Sequence, residues 1–182
     1  MTPFQLRFAA RLLHAGGIIA CPTEAVYGLS CDPLRQSAVE RLLAIKQRDV
    51  AKGLILVAAS LEQLPGFVSL PAANRDAILQ SWPGPATWLL PATADAPAWI
   101  RGEHHTIAVR VTAHPAMAAL CERFGRCLVS TSANVARMAP ARTPLQVRRQ
   151  LADGPDLILH ADLGGSAKPT GIRDAVSGAV IR

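Results

Sequence analysis

The chain has 182 residues, half of them hydrophobic and 4% aromatic, which predicts a single domain over residues 1–182 with an aliphatic core. Its formal net charge of +6 favours anionic partners such as a nucleotide, a phosphate or RNA. No apolar run approaches the roughly 18 residues of a membrane span, and Arg7 and Arg11 interrupt any signal-peptide pattern. We therefore expect a soluble, cytoplasmic protein with no membrane partner.

Metal and disulfide chemistry have little support in the sequence. The four cysteines are Cys21, Cys31, Cys121 and Cys127. They form no C-x-x-C pair, so we expect free thiols in or near the core of a cytosolic protein. His104 and His105 are an isolated pair, and no H-E-x-x-H motif occurs. The sequence predicts no dedicated protein metal site.

The first half of the chain alternates between helical and extended patterns. Helical spacing of apolar residues predicts a helix over residues 3–15, which Gly16 and Gly17 would end. A short buried strand at 18–21 leads through a polar turn into a second extended segment. The next elements are a helix over 37–46, a strand over 53–59 buried on both faces, a short helix opened by a capping box at Ser60–Gln63, a helical segment over 71–80, a rigid turn at 82–85 and a strand over 86–91.

The second half of the chain continues this alternation. Its predicted elements are a strand over 106–111, a helix from Pro115 to about residue 124, a strand over 127–131, a helix that begins at Thr143, and short strands over 156–160 and 178–181. The connections are uneven in length. The pattern therefore predicts an α/β fold of the α+β kind, with a mixed sheet flanked by helices rather than a regular doubly wound sheet.

The densest group of cations comprises Lys46, Arg48 and Lys52. Only three of the 19 basic residues are lysines, and two of the three fall in this window. Because nearly all other basic residues of the chain are arginines, the lysines in this window suggest a need for compact ammonium charges, which a guanidinium does not mimic. The window is thus either a phosphate site or the solvated end of a helix, and the local pattern leaves both open.

Other polar groups follow or interrupt the predicted strands, namely Thr23 and Glu24, Arg110, and the run Ser130–Asn134. Neither G-x-x-x-x-G-K-[ST] nor G-x-G-x-x-G occurs, and no acid–base pair is evident. Hydroxyls, amides and cations suffice for phosphoryl or nucleotidyl transfer, which needs mainly in-line placement and charge neutralisation. Each group also has a structural interpretation: Arg110 as an ion pair, Thr23 as a turn cap, and Ser130–Asn134 as a helix-capping turn.

Several segments together resemble the YrdC/TsaC family of threonylcarbamoyl-AMP synthases in order and approximate spacing. They are Pro22–Leu29, Lys46–Arg48, Lys52–Leu56, Trp82–Pro85, Ala108–Val111, Ser130–Asn134, Pro169–Asp174 and Val180–Arg182. The resemblance runs from about residue 5 to the end of the sequence and is that of the short, single-domain form. It implies a YrdC-like fold, a twisted mixed sheet with helices around a concave basic surface.

The resemblance also implies a reaction and its partners. ATP, L-threonine and bicarbonate would give L-threonylcarbamoyl-adenylate and pyrophosphate, with Mg²⁺ accompanying the ATP. A downstream threonylcarbamoyl-transferase complex would use the product to form N6-threonylcarbamoyladenosine at position 37 of tRNAs that read codons beginning with A. A tRNA or a double-stranded RNA is a further candidate partner.

Site residues carry over from the family by motif. Those expected at ATP are Lys46, Arg48, Lys52, Thr106, Ser132, Asn134 and Arg182, and those expected at threonine are Thr23, Arg110, Ser130 and Thr170. Arg110 would face the carboxylate of the amino acid. Two departures from the family pattern stand out: Ala25 replaces a second threonine, and Val135-Ala136-Arg137 replaces a Ser-Gly pair after Asn134.

Two other functions stay open on the sequence. The net charge also fits a non-catalytic basic RNA-binding module; few aromatic residues are present for base stacking, but double-stranded RNA is recognised largely by shape. A carbamoyl-transfer domain like that of hydrogenase maturation proteins would use carbamoyl phosphate instead of threonine.

Overall fold

The computed structural model describes residues 1–64, 66–151, 154–166 and 170–181. Its strands are β1 (Ile19–Pro22), β2 (Tyr27–Ser30), β3 (Ile55–Ala58), β4 (Thr87–Pro91), β5 (Thr106–Val111), β6 (Leu128–Ser132), β7 (Leu157–Ile158) and β8 (Ile172–Asp174). They form one sheet in the order β7-β1-β2-β6-β3-β5-β4-β8. The pairs β1–β7, β3–β5 and β4–β8 are parallel and the other neighbours antiparallel, which confirms the predicted mixed sheet.

Helices flank the sheet. They are α1 (Pro3–His14), α2 (Gln36–Lys46), α3 (Arg75–Gln80), α4 (Ala98–Arg101), α5 (Pro115–Phe124) and α6 (Pro144–Gln150), with 3-10 turns at Val50–Lys52 and Leu61–Gln63. Local sequence sets their starts: Thr2 and Gln5 form a capping box for α1, and the Thr143 hydroxyl accepts a hydrogen bond from the Gln146 amide at the start of α6. Within the described residues, no helix is long and apolar enough to cross a membrane.

Three local predictions differ from the structure. Ser60 makes no capping bond; instead, Gln63 Oε1 accepts from the amide of Ala59 at 2.9 Å, so the predicted capping box was wrong. The predicted strand over 178–181 is also wrong. Val180 forms only an isolated bridge to Arg173, which lies in β8. The helix predicted over 71–80 begins only at Arg75.

Successive side chains of β1 point to opposite faces of the sheet and show which helices pack on each face. Ala20 faces a core that includes α2, α3, α4 and α6, whereas Ile19 and Cys21 face a smaller core with α1 and α5. All four cysteines are buried and free, as predicted, and burial raises the pKa of Cys31 and Cys127 to about 12. Helices α1 and α5 cover one part of their face of the sheet, and the remainder carries the cavity described next.

Candidate active site

A cavity of about 380 Å³ lies on the sheet face that α1 and α5 leave uncovered. Strand β5 shows why: Thr106, Ala108 and Arg110 line the cavity, whereas Ile107 and Val109 alternate into the core on the other face. Strands β3 and β6 extend this side of the cavity next to β5, because Ile55 of β3 pairs with Ala108 of β5 and with Ser130 of β6. The strand register thus brings distant sequence motifs to one concave surface.

Arg110 marks one end of the cavity, where it is only 7% exposed. Its Nη1 donates to Thr170 Oγ1 at 2.9 Å, and its Nη2 lies 3.5 Å from Glu24 Oε2 in an ion pair. The other carboxylate oxygen of Glu24 accepts a 2.5 Å hydrogen bond from the Thr112 hydroxyl. Burial lowers the pKa of Arg110 and Glu24 opposes that shift, so a buried guanidinium stays charged at the cavity wall.

The turn between β1 and β2 is held from outside by the segment 159–166. The amides of Gly164 and Ser166 donate to the carbonyl oxygens of Thr23 and Glu24, at 3.0 and 2.9 Å. Within the turn, the Thr23 hydroxyl donates to the carbonyl oxygen of Val26 at 2.8 Å. Hydrogen bonds from the segment 159–166 and within the turn therefore fix the backbone that presents Thr23 and Glu24 to the cavity.

The opposite end of the cavity is basic. Its basic side chains are those of Arg48, Lys52, Arg101 and His104, and we call this part of the cavity the basic end. Arg48 Nη2 donates to the carbonyl oxygen of Gly53 at 3.0 Å, and Arg101 Nη1 donates to that of His104 at 2.9 Å. Among the described residues that line the cavity, the only acid is Glu24, which pairs with Arg110. The cavity as a whole is suited to a polyanion.

Lys46 lies behind the cavity wall and is 4% exposed. Its Nζ donates to the carbonyl oxygen of Ser132 and, at 2.9 Å, to that of Asn134. Burial, and secondarily the charge of Arg48, lowers the pKa of Lys46 from 10.5 to about 8. Asn134 lies in the same network, since its Oδ1 accepts from the Ser132 hydroxyl at 2.5 Å. The ammonium therefore holds the loop that follows β6, in which Arg137 adopts a left-handed φ of 70° without glycine.

The structure brings most of the predicted site residues together. Those that line the cavity are Thr23, Arg48, Lys52, Thr106, Arg110, Ser130, Ser132 and Thr170. Lys46 and Asn134 support the wall without lining it, and Arg182 lies outside the described residues. Sequence reasoning assigned no role to the lining residues Glu24, Arg101 and His104. The need of a buried arginine for a counter-ion was a signal for Glu24, whereas nothing in the local sequence marked Arg101.

The described residues contain no group of three or more His, Cys, Asp or Glu side chains placed to hold a metal ion.

Fold and cavity together define an α/β protein with a concave, cationic ligand site. Residues 11–182 match the Sua5/YciO/YrdC family, described as "telomere recombination", and the chain belongs to this family. A curated relative from Nitrosococcus oceani is 50% identical over 180 residues, which cover 98% of this chain and 97% of the relative. One from Alkalilimnicola ehrlichii is 54% identical over 182 residues, which cover 98% and 95%. Both relatives are named threonylcarbamoyl-AMP synthase.

A solved structure gives an independent comparison. The Sua5 protein of P. abyssi, crystallised in complex with L-threonine, matches with a TM-score of 0.89 at 29% identity. The match covers 96% of this chain and 52% of that protein, so this chain spans about half the length of that relative. This match over 96% of the chain confirms the YrdC-like fold.

Proposed function

We propose that this protein is a threonylcarbamoyl-AMP synthase, which converts L-threonine, bicarbonate and ATP into L-threonylcarbamoyl-adenylate and pyrophosphate. The observation that carries the proposal is the polarity of the cavity, which has a buried arginine at one end and a cluster of cations at the other. The first end suits the carboxylate of an amino acid, and the second suits the negative charges of a triphosphate. The names of the relatives support the same activity.

The amino acid binds at the Arg110 end. A guanidinium recognises a carboxylate through paired N–H donors, and such a charge-assisted contact contributes about 1.5–3 kcal/mol. Thr170 already accepts from Nη1 at 2.9 Å, so it sets the orientation of the guanidinium before the ligand arrives. The hydroxyls of Thr23 and Ser130 border the same part of the cavity and contact the remaining polar groups of threonine.

ATP occupies the rest of the cavity, with Arg48 and Lys52 at its phosphates and the hydroxyls of Thr106 and Ser132 as further hydrogen-bonding groups. Lys46 and Asn134 act through the loop after β6. Arg182 remains an expected ATP contact from the family resemblance alone. For the other residues, their positions in the cavity or in the network behind its wall support the roles that the family resemblance implies.

The chemistry requires placement more than acid–base catalysis. The threonine ammonium and bicarbonate first give a carbamate, with release of one water and one proton. A carbamate oxygen then attacks the α-phosphorus of ATP while the bond to the bridging oxygen breaks and pyrophosphate leaves with the electron pair. We therefore assign the enzyme to the nucleotidyltransferases. Its residues align the reactants and neutralise the leaving group, and the cavity shields the labile carbamate from water.

Mg²⁺ is proposed to enter with ATP, because no carboxylate cluster in the described residues offers a separate site. The product is an activated acyl donor. We propose that a threonylcarbamoyl-transferase complex consumes it in the cytoplasm to modify adenosine 37 of tRNAs that read codons beginning with A. The basic end of the cavity and the net charge of +6 suit a transient contact with tRNA or double-stranded RNA.

The test is an incubation of the protein with Mg-ATP, radiolabelled bicarbonate and single amino acids, followed by chromatographic separation of the adenylate. We expect label in an adenylate only when L-threonine is present, together with an equal amount of pyrophosphate. Label transferred from carbamoyl phosphate without threonine would favour the carbamoyl-transfer function. RNA binding without any ATP turnover would favour a non-catalytic module and overturn the proposal.

A further inference from the structure

Arg101 enters the cavity from an element that the family motifs do not include. It is the last residue of α4, and its neighbours are attached to the segment that carries Lys52. The amide of Leu54 donates to the carbonyl oxygen of Ile100 at 2.9 Å, and the amide of Glu103 donates to that of Ala51 at 3.1 Å. Two segments about 50 residues apart in sequence thus form one wall of the basic end.

The attachment depends on two glycines at the closest approach of these segments. Gly53 and Gly102 have positive φ values of 61° and 64°. A Cβ at Gly102 would lie 2.5 Å from the carbonyl oxygen of Ala51, and one at Gly53 would lie 2.9 Å from that of Arg101. Both positions require glycine on steric and conformational grounds. The wall that holds Arg101 is therefore a specifically built contact.

The guanidinium of Arg101 is anchored but has free donor capacity. Its Nη1 donates to the carbonyl oxygen of His104 at 2.9 Å, which is the one side-chain hydrogen bond that Arg101 makes to the described residues. Its other N–H groups can therefore bind a ligand. Arg48 and Lys52 line the same end, and no described carboxylate lines the cavity there. Three clustered cations suit a ligand with several negative charges.

We propose that Arg101 binds the β- and γ-phosphates of ATP and stabilises the departing pyrophosphate. This inference rests on the proposed function and assigns a residue to one step of it. Strand β5 gives the direction, because Arg110 and Thr106 lie four residues apart along it, a span of about 13 Å in an extended chain. With the amino acid at Arg110, the carbamate oxygen approaches the α-phosphorus from that side.

In-line displacement then fixes where the leaving group goes. The bond between the α-phosphorus and the bridging oxygen breaks on the side away from Arg110, and pyrophosphate moves towards the basic end with the electron pair. Negative charge grows there during the reaction, and a guanidinium already in place stabilises it without reorganisation. Arg101 therefore distinguishes pyrophosphate from the α-phosphate, which stays with the adenylate.

Three variants test the role of Arg101 by comparing two ligands. Arg101→Gln removes the charge, Arg101→Lys keeps it, and Arg123→Gln removes one charge from an exposed site on α5 that does not line the cavity. The dissociation constants of inorganic pyrophosphate and of AMP are measured for each by calorimetry, without threonine. We expect Arg101→Gln to weaken pyrophosphate binding about tenfold or more, with AMP binding unchanged and Arg101→Lys intermediate.

The two binding constants distinguish a pyrophosphate contact at Arg101 from a structural role and from an effect of net charge. Pyrophosphate binding at the wild-type level in Arg101→Gln would overturn the contact, as would an equal loss for pyrophosphate and AMP, which would mark a structural role. An equal loss of pyrophosphate binding in Arg123→Gln would reduce the effect to net charge and also overturn it. If the wild type forms no adenylate, the proposed function fails, yet the two binding constants still decide whether Arg101 binds pyrophosphate.

Discussion

Lys46 Nζ donates a hydrogen bond to the carbonyl oxygen of Asn134 at 2.9 Å and so ties the end of α2 to the loop after β6. The family resemblance implies a phosphate contact for this lysine. In the structure, its ammonium also donates to the carbonyl oxygen of Ser132 and lies 3.4 Å from Asn134 Oδ1. Lys46 thus holds the loop that forms part of the cavity wall, without lining the cavity itself.

Replacing Lys46 with methionine should therefore destabilise the fold as well as impair ATP binding. The change leaves two backbone carbonyl groups without their donor, at a cost of about 1.5–3 kcal/mol for a charge-assisted contact. For a chain of this size, each kcal/mol lowers the melting temperature by roughly 2–4 °C. Thermal unfolding and ATP titration of Lys46→Met are the measurements.

Lys52→Met is the matched control, because Lys52 is exposed and lines the cavity. We expect this variant to lose ATP affinity with little change in melting temperature. If Lys46→Met instead melts like the wild type and loses only ATP affinity, the ammonium contacts the nucleotide directly and does not stabilise the loop.

The buried ammonium of Lys46 should also give stability a specific pH dependence. Its pKa is about 8 in the folded chain against 10.5 for an ordinary lysine. Between these values the unfolded chain binds more protons at this site, so the contribution of Lys46 to the free energy of unfolding rises with pH across that window. Below pH 8 both states are protonated, and above about pH 10.5 both are neutral, so the contribution is constant on either side.

Urea unfolding of the wild type and of Lys46→Met between pH 7 and pH 11 isolates this contribution. Over this range, the free energy of unfolding of the wild type should rise relative to that of Lys46→Met by up to about 3 kcal/mol. A difference that stays constant with pH would show that Lys46 has the same pKa in both states.

The sequence predicts the alternation of strands and helices because apolar residues recur with the period of the element in which they lie. In β1, for example, successive side chains enter the cores on opposite faces of the sheet. Eight of the predicted site residues line the cavity, and their assignment came from the family resemblance, because the local patterns alone left structural interpretations open. What the sequence misses depends on tertiary contacts. The pairing of Glu24 with Arg110 follows from the sheet and the turn together, and Arg101 reaches the basic end through backbone contacts with residues 51–54. Likewise, Gln63 bonds outside its own turn, so the pattern at Ser60 was misleading.

Removing Arg110 should separate ligand binding from folding only when Glu24 is changed as well. Arg110→Met leaves a buried carboxylate without its cation, which typically costs about 3–5 kcal/mol. In Arg110→Met/Glu24→Gln no unpaired charge remains, so we expect stability to recover, whereas threonine-dependent pyrophosphate release should stay low. Arg110→Lys should restore little release, because an ammonium lacks the paired donors of the guanidinium.

The measurements are urea unfolding and pyrophosphate release for both single variants and the double variant. Recovery of threonine-dependent release in the double variant would mean that Arg110 serves only to neutralise Glu24, and the threonine assignment would then fail.

Chelation of Mg²⁺ should abolish turnover without affecting the fold. The described residues hold no cluster of metal ligands, so the ion should bind through the phosphates of ATP. We expect no heat of Mg²⁺ binding to the protein alone in calorimetry, and an Mg²⁺ dependence of turnover that follows the concentration of Mg-ATP. Tight Mg²⁺ binding to the nucleotide-free protein would contradict this.

Gly164 should be intolerant of even a methyl group. A Cβ there would lie 2.8 Å from Glu24 Cα and 3.2 Å from the ring of His114, so Gly164→Ala must push the segment 159–166 away from the β1–β2 turn. This strains the backbone bonds that fix Thr23 and Glu24, and we expect weaker threonine binding together with a lower melting temperature. Gly66→Ala is the control, since its Cβ would meet nothing within 4 Å. Calorimetric threonine affinity equal to the wild type in Gly164→Ala would show that the turn holds its shape without this contact.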